Sequence, residues 1–305
     1  MQRFNKINAS SLCHFTGRFD VLQKIIRNGI RFSFAFEKLS PTIIANFEYP
    51  SNPQFVSHLY ENAGVAIPMV SFCDIPITRV TEHISKYGQY MIGLNKKIIL
   101  DLYNEIINPV FYIYSDNLHQ VIDDISNVYA EATNLQMQEV INKGKRINVF
   151  TQEDVEEIVK EVIEKFPYTN RKISSQFIVG LSKPCYSKDG AVCYYDEREW
   201  RAFWLDRMSV ETNWKWGITY ENYVSNKSYW NKELESDEAN YITIPAGILR
   251  YGITHIVVKN DNQIPRMIDF IMNSQTLFGQ TNVSKSERLI LVSKITSFER
   301  VALDY

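Results

Sequence analysis

Residues 12–30, LCHFTGRFDVLQKIIRNGI, decide the class of fold. Leu12 to Thr16 reads as a short strand, and the Gly17 after it frees the chain to turn. Asp20 predicts a helix N-cap. Beyond it Val21, Leu22, Ile25 and Ile26 recur with the spacing of one helical face, and Gly29 supplies the C′ stop. A strand that hands over to a helix within so few residues predicts a mixed architecture. His14 and Thr16 stand at the strand end, where side chains are expected to open onto a pocket.

The same alternation continues outward. Ile67 to Phe72 is an apolar run of strand length that ends at Cys73-Asp74 before Pro76. Thr78 to Tyr87 reads as a helix, and Tyr90 to Leu94 returns to strand. From about residue 117 to 171 the texture changes to long helical periodicity with scarcely any Gly or Pro. Within it Thr151 and Asp154 fit a capping box at the head of a helix running to Phe166. This stretch is expected to be a helical insertion. After it come strands expected at Gln176–Leu181, Glu199–Leu205, Tyr241–Ile244 and His255–Lys259, and a helix near Ile264–Met272. The expectation is one α+β domain over residues 1–305. Strands Leu12–Thr16, Ile67–Phe72, Tyr90–Leu94 and Glu199–Leu205 should meet around a common cleft, with the insertion peripheral.

The 305 residues are 45% apolar and 22% charged, ordinary globular usage that argues against a disordered or coiled-coil chain. Thirty-three basic against 35 acidic residues give a net charge of −2, so there is no global field for nonspecific nucleic-acid binding. The first fifty residues hold seven Lys and Arg against three acids, an excess that fits either scattered surface lysines or a patch for a phosphate backbone. Cys13, Cys73, Cys185 and Cys193 form no CxxC pair and no zinc spacing, so no metal is expected. The N-terminus lacks a continuous apolar run, and the longest apolar stretch, Ala63 to Cys73, is broken by Gly64, Pro68 and Ser71. A cytoplasmic protein with reduced thiols and no membrane partner is expected.

Three segments carry side chains suited to chemistry. His14, in a strand end, is the most informative of five histidines, the others being His58, His83, His119 and His255. His83 and Tyr87, four apart, share one helix face, and Gly88 lets the chain turn toward Tyr90. That segment reads either as an aromatic helix end packed on the core or as a platform for a flat ligand. In YYDEREWR, residues 194–201, period-two alternation predicts Glu197, Glu199 and Arg201 on one strand face and Arg198 and Trp200 on the other. The carboxylates form either an ion-pair ladder or a site that orients a sugar hydroxyl and stabilises positive charge at an anomeric carbon. No GxGxxG follows a strand, which disfavours a Rossmann dehydrogenase, and a P-loop enzyme is disfavoured for the corresponding reason.

Together HFTGRFDVLQKIIRNGI, PMVSFCDIPITRVTEHISKYGQYMIGL and YDEREWR resemble the AbiGi-like abortive-infection family of phage-defence proteins. More distantly they resemble DarT-type ADP-ribosyltransferase toxins. The resemblance spans about the first 115 residues and the block around Glu199, and its order of His, Tyr, Glu is similar to the H-Y-E signature of one transferase class. It implies an ADP-ribosyltransferase-like fold with a split mixed sheet, flanking helices and an NAD substrate without a metal. His14, with Thr16 beside it, would hold a ribose of NAD, Arg18 the pyrophosphate, and Tyr87 or Tyr90 would stack on nicotinamide; Ser71 and His83 complete the binding set. Glu199 would meet the ribose 2′-hydroxyl as nicotinamide leaves. Glu197, two residues earlier and nearer the mouth of the cleft, would serve the acceptor, which the resemblance leaves open between RNA, DNA and protein. An NAD glycohydrolase, with water as acceptor, and a non-catalytic antitoxin or sensor that binds a partner protein are the competing expectations. Convergence of His14, Tyr87 or Tyr90 and Glu199 on one cleft separates enzyme from binding module.

Overall fold

The computed structural model describes residues 9–38, 64–114, 138, 142, 181–186, 191–203 and 218–303. The expected insertion at about 117–171, its Thr151–Phe166 helix and the strand expected at Gln176–Leu181 lie outside them, apart from isolated positions. Strand β1 (Ser11–Thr16) leads into helix α1 (Phe19–Asn28), which buries Leu22, Ile25 and Ile26. Each such side chain contributes roughly 2 kcal/mol on leaving water. Gly29, at φ 97°, ends the helix as expected, its N–H donating to the Ile25 carbonyl. Asp20 is not the N-cap: Arg18 occupies that position, and Asp20 sits in the first turn paired with the Arg18 guanidinium.

Strands β2 (Ile30–Arg31), β3 (Ser33–Lys38) and β4 (Gly64–Cys73) follow. The helix expected over Thr78–Tyr87 is two pieces, a 3₁₀ turn (Ile77–Arg79) and α2 (Thr81–Tyr87), joined at Val80, whose carbonyl receives the Ile84 N–H. Gly88 at φ 116° then turns the chain into β5 (Tyr90–Asn95), and α3 (Lys96–Leu102) starts from the Asn95 side chain as cap. Short strands β6 (Ile107–Pro109), β7 (Phe111–Ile113) and β8 (Ser182–Pro184) precede β9 (Glu199–Ala202) and β10 (Ile218–Thr219). The C-terminal part adds α4 (Tyr220–Glu233), β11 (Tyr241–Ile242), α5 (Leu249–Gly252) and β12 (Ile253–Val258). It closes with α6 (Ile264–Asn273), α7 (Lys285–Val292), β13 (Ile295–Ser297) and α8 (Phe298–Leu303).

The strands expected near both ends share one mixed sheet, in the order β13-β12-β5-β1-β4-β9-β6, with β3 and β10 paired to the first half of β4. The α+β class is therefore as expected. All pairs in this sheet are antiparallel except β12 with β13. The strand expected at Tyr241–Ile244 is shorter and lies elsewhere, since β11 pairs with β2 in a separate two-stranded sheet. Pro245 follows closely, and a proline cannot donate to a ladder. β7 and β8 form another small sheet, parallel. One face of the main sheet packs Leu12, Phe72, Ile92 and Leu94 against α1 and α6; the other carries a smaller cluster of Cys13, Cys73, Val80, Met91, Val257 and Phe298.

The joint between β1 and β4 decides where the site falls. β1 pairs with β5 along its whole length but with β4 at a single position, Cys13 opposite Cys73. Beyond that pair, toward Thr16, the carbonyl of Ser71 is met by the His14 imidazole, Nδ1 at 2.9 Å, a side chain bridging two strands that part.

Candidate functional site

Register builds the site. β4 pairs with β9 so that Cys73 faces Glu199 and Ser71 faces Arg201, which puts Ser71, Glu199 and Arg201 on one side of the sheet. The Glu199 carboxylate is nearly buried and each of its oxygens has two donors. Oε1 accepts from Ser71 Oγ at 2.8 Å and Arg201 Nε at 2.8 Å. Oε2 accepts from Lys183 Nζ at 3.0 Å and Arg201 Nη2 at 3.2 Å. The Glu199 main-chain N–H donates to the Tyr112 hydroxyl at 2.7 Å.

Glu197 lies elsewhere than alternation predicts. Tyr194–Glu197 is a 3₁₀ turn, and Arg198, at φ 44°, reverses the chain before β9 starts at Glu199. The left-handed conformation at Arg198 uncouples Glu197 from the strand's two-residue period. Both carboxylates are nearly buried, Glu197 5% and Glu199 7% exposed. The two carboxylates meet through Lys183, whose ammonium lies 2.7 Å from Glu197 Oε2 and 3.0 Å from Glu199 Oε2. Lys86 pairs with Glu197 Oε1, and Tyr87 also helps to stabilise the charged form of the same carboxylate. The Tyr194 ring lies under both ammonium groups, 5.1 Å from Lys86 and 4.7 Å from Lys183.

Electrostatics fixes the protonation states. Burial alone would raise the Glu199 carboxyl, but the charges and hydrogen bonds of Arg201 and Lys183 more than offset it, holding the group down at about 2. Glu197 is lowered as well, burial being outweighed by Lys183, Lys86 and Tyr87. Both are therefore carboxylates at neutral pH. Burial pushes the Tyr87 hydroxyl up, and the neighbouring Glu197 carboxylate adds to the effect. Burial lowers His14, only partly opposed by the Ser71 carbonyl, so the imidazole is neutral and its Nδ1 carries the proton donated to that carbonyl.

The residues expected at the site divide into two groups. Ser71, Tyr87, Glu197 and Glu199 converge. His14 does not touch Glu199: alternation carries it to the opposite side of the sheet, edge-on to Phe72 with ring centroids 6.0 Å apart. It joins the cluster through Ser71, whose carbonyl meets His14 and whose hydroxyl meets Glu199. Tyr90 is buried on the α1 side, its hydroxyl accepting from Gln263 and its ring edge-on to Phe19, so Tyr87 is the tyrosine at the cluster. Thr16 pairs with Tyr90 across β1 and β5. Arg18 stands at the surface, its fork engaged by Asp20. His83 is buried and stacks on Phe15, with Tyr87 beside it. Lys183, Lys86 and Tyr112 were not anticipated; among the described residues no group of His, Cys, Asp and Glu is gathered for a metal.

The chain thus combines a mixed α+β sheet with two nearly buried carboxylates held by the buried Arg201 guanidinium and the ammonium groups of Lys183 and the more exposed Lys86. Residues 57–242, more than half of it, match the family model described as "Putative abortive phage resistance protein AbiGi, antitoxin", and the chain belongs to that AbiGi family. It is similar to the abortive phage resistance protein AbiGi of Lactococcus lactis subsp. cremoris, 22% identical over 274 residues that cover 84% of this chain and 97% of that protein. No solved structure matches. The link to DarT-type toxins found no support in these comparisons.

Proposed function

We propose that this chain is the antitoxin-type component of an abortive phage resistance system and works by binding a partner protein, its ion cluster serving to fix the fold of the partner-binding domain. The observation that carries this reading is the saturation of Glu199, each of whose oxygens already accepts two internal hydrogen bonds. Every carboxylate oxygen of Glu197 and Glu199 already has an internal donor, and both residues are nearly buried. A carboxylate that must meet a ribose needs an open lone pair and access, whereas buried charges with every partner in place specify one arrangement of strands. The description of the family as an antitoxin agrees.

A second reading, an NAD-dependent ADP-ribosyltransferase or glycohydrolase, draws on one observation: Ser71 links His14 to an ionised Glu199 at the place where β1 and β4 part. An ionised carboxylate is the form that stabilises a positive anomeric carbon. Incubation of the purified chain with labelled NAD and cell lysate tests both. The antitoxin reading expects no label in protein, RNA or DNA and no free ADP-ribose; label that disappears in Glu199→Gln overturns it.

A further inference from the structure

The main sheet is two half-sheets that meet at one residue pair. β13, β12, β5 and β1 lie on one side, and β4 with β9, β6, β3 and β10 on the other, with Cys13 opposite Cys73 at the joint. Directly opposed residues of an antiparallel pair have Cα atoms about 4.5–5.5 Å apart, inside the roughly 4.4–6.8 Å that a disulfide spans. Both side chains lie in the same small apolar cluster, and the Cys13 thiol is 3.9 Å from the Ile75 carbonyl. By contrast Cys185 and Cys193, half-exposed, alternate to opposite faces of the bridge that sets Tyr186 against Cys193, which turns their Cβ vectors apart.

We propose that Cys13 and Cys73 are a redox modification site, where oxidation by a peroxide closes a disulfide that staples the two half-sheets together. The chemistry balances with one peroxide. The sulfur of one cysteine, its proton lost, attacks a peroxide oxygen, the O–O bond breaks, and a sulfenic acid and water result. The second sulfur then attacks the sulfenic sulfur and displaces hydroxide, which takes that thiol's proton as the second water. Two electrons pass from the sulfur pair to the peroxide. Burial raises both thiols, Cys13 to about 12, and only the thiolate is a good nucleophile. In the closed sheet the pair stays reduced; the reaction proceeds when the joint opens, so its rate reads the opening of the half-sheets.

The test uses the full chain carrying Cys185→Ser and Cys193→Ser, which leaves only the buried pair. Hydrogen peroxide is added in sub-denaturing urea, and the monomer band of a non-reducing gel is mapped by mass spectrometry. The expected result is a linked peptide joining Cys13 and Cys73 and lacking two hydrogens, absent when Cys13→Ser is added and reversed by dithiothreitol. The melting temperature of the oxidised chain should rise on the order of 5–10 °C. The proposal is overturned if linkage appears only in dimers, if Cys73 proceeds to sulfinic acid while Cys13 remains a free thiol, or if both thiols survive the treatment.

Discussion

Glu199 shows what the cluster does at the scale of a single residue. Replacement by Gln leaves a shape of the same size but puts an amide donor against ammonium, guanidinium or hydroxyl donors, and leaves Lys183 and Arg201 buried with less negative charge. Breaking a buried ion pair from one side typically costs about 3 kcal/mol or more, so Glu199→Gln should lower the urea midpoint accordingly. A change of under about 0.5 kcal/mol, the level of an ordinary surface substitution, would show that the cluster is not structural. Acid titrates the same interaction. A carboxyl at 4.5 in the unfolded chain and about 2 in the fold contributes stability that is full above the unfolded value and is lost as pH falls from about 4.5 toward 2. The difference corresponds to roughly 3 kcal/mol, and Glu197 is lowered in the same direction. Urea unfolding of the wild type should therefore weaken steeply between these pH values, and Glu199→Gln should show a shallower loss. Equal acid slopes would contradict the ion-cluster assignment.

Among the elements, the turn between α2 and β5 holds the strand end that carries His14 and Thr16. A Cβ on Gly88 would stand 2.3 Å from the Thr16 carbonyl oxygen, and its φ of 116° disfavours any side chain. Gly88→Ala should cost about 2 kcal/mol or more, because backbone must move. Gly17→Ala, where a Cβ meets nothing within 4 Å, should stay within about 0.5 kcal/mol. Thermal unfolding of the two variants measures this, and equal shifts would remove the close approach from the account. The same scale explains what the sequence made legible. β1, β4 and β5 were readable because runs such as Ile67–Phe72 and Tyr90–Leu94 are long enough to show their period, and α1 and α6 because apolar residues recur on one face. β2 holds two residues, too few for any period, and the strand expected at Tyr241–Ile244 was legible only as a strand, not in its two-residue length or its pairing with β2. The left-handed Arg198 was illegible for another reason: a non-glycine residue gives no local warning of positive φ, so Glu197 was expected on the strand.

In the whole molecule, the site is assembled from segments far apart in sequence, and this limited what the sequence revealed. Ser71, Tyr87, Glu197, Glu199 and Arg201 were visible as candidates because each sits in a patterned segment. Lys183 holds both carboxylates from a three-residue strand, and its neighbours Ser182 and Pro184 give no sign of it. His14 was expected to converge with Glu199 but lies on the other side of the sheet, because the register that sets Cys13 opposite Cys73 and Cys73 opposite Glu199 is a property of pairing that one strand's sequence does not contain. On the function proposed for it, this AbiGi-family chain protects by binding a partner protein and has no toxic activity of its own. Growth after induction measures it most directly, with the chain expressed alone, beside the toxic component of its own system, and as Glu199→Gln in each setting. The expected result is normal growth for the chain alone, rescue of cells that express the toxic component, and rescue that weakens in Glu199→Gln in proportion to its loss of folded protein. Arrest of growth by the chain alone, relieved by Glu199→Gln at equal amounts of folded protein, would contradict it.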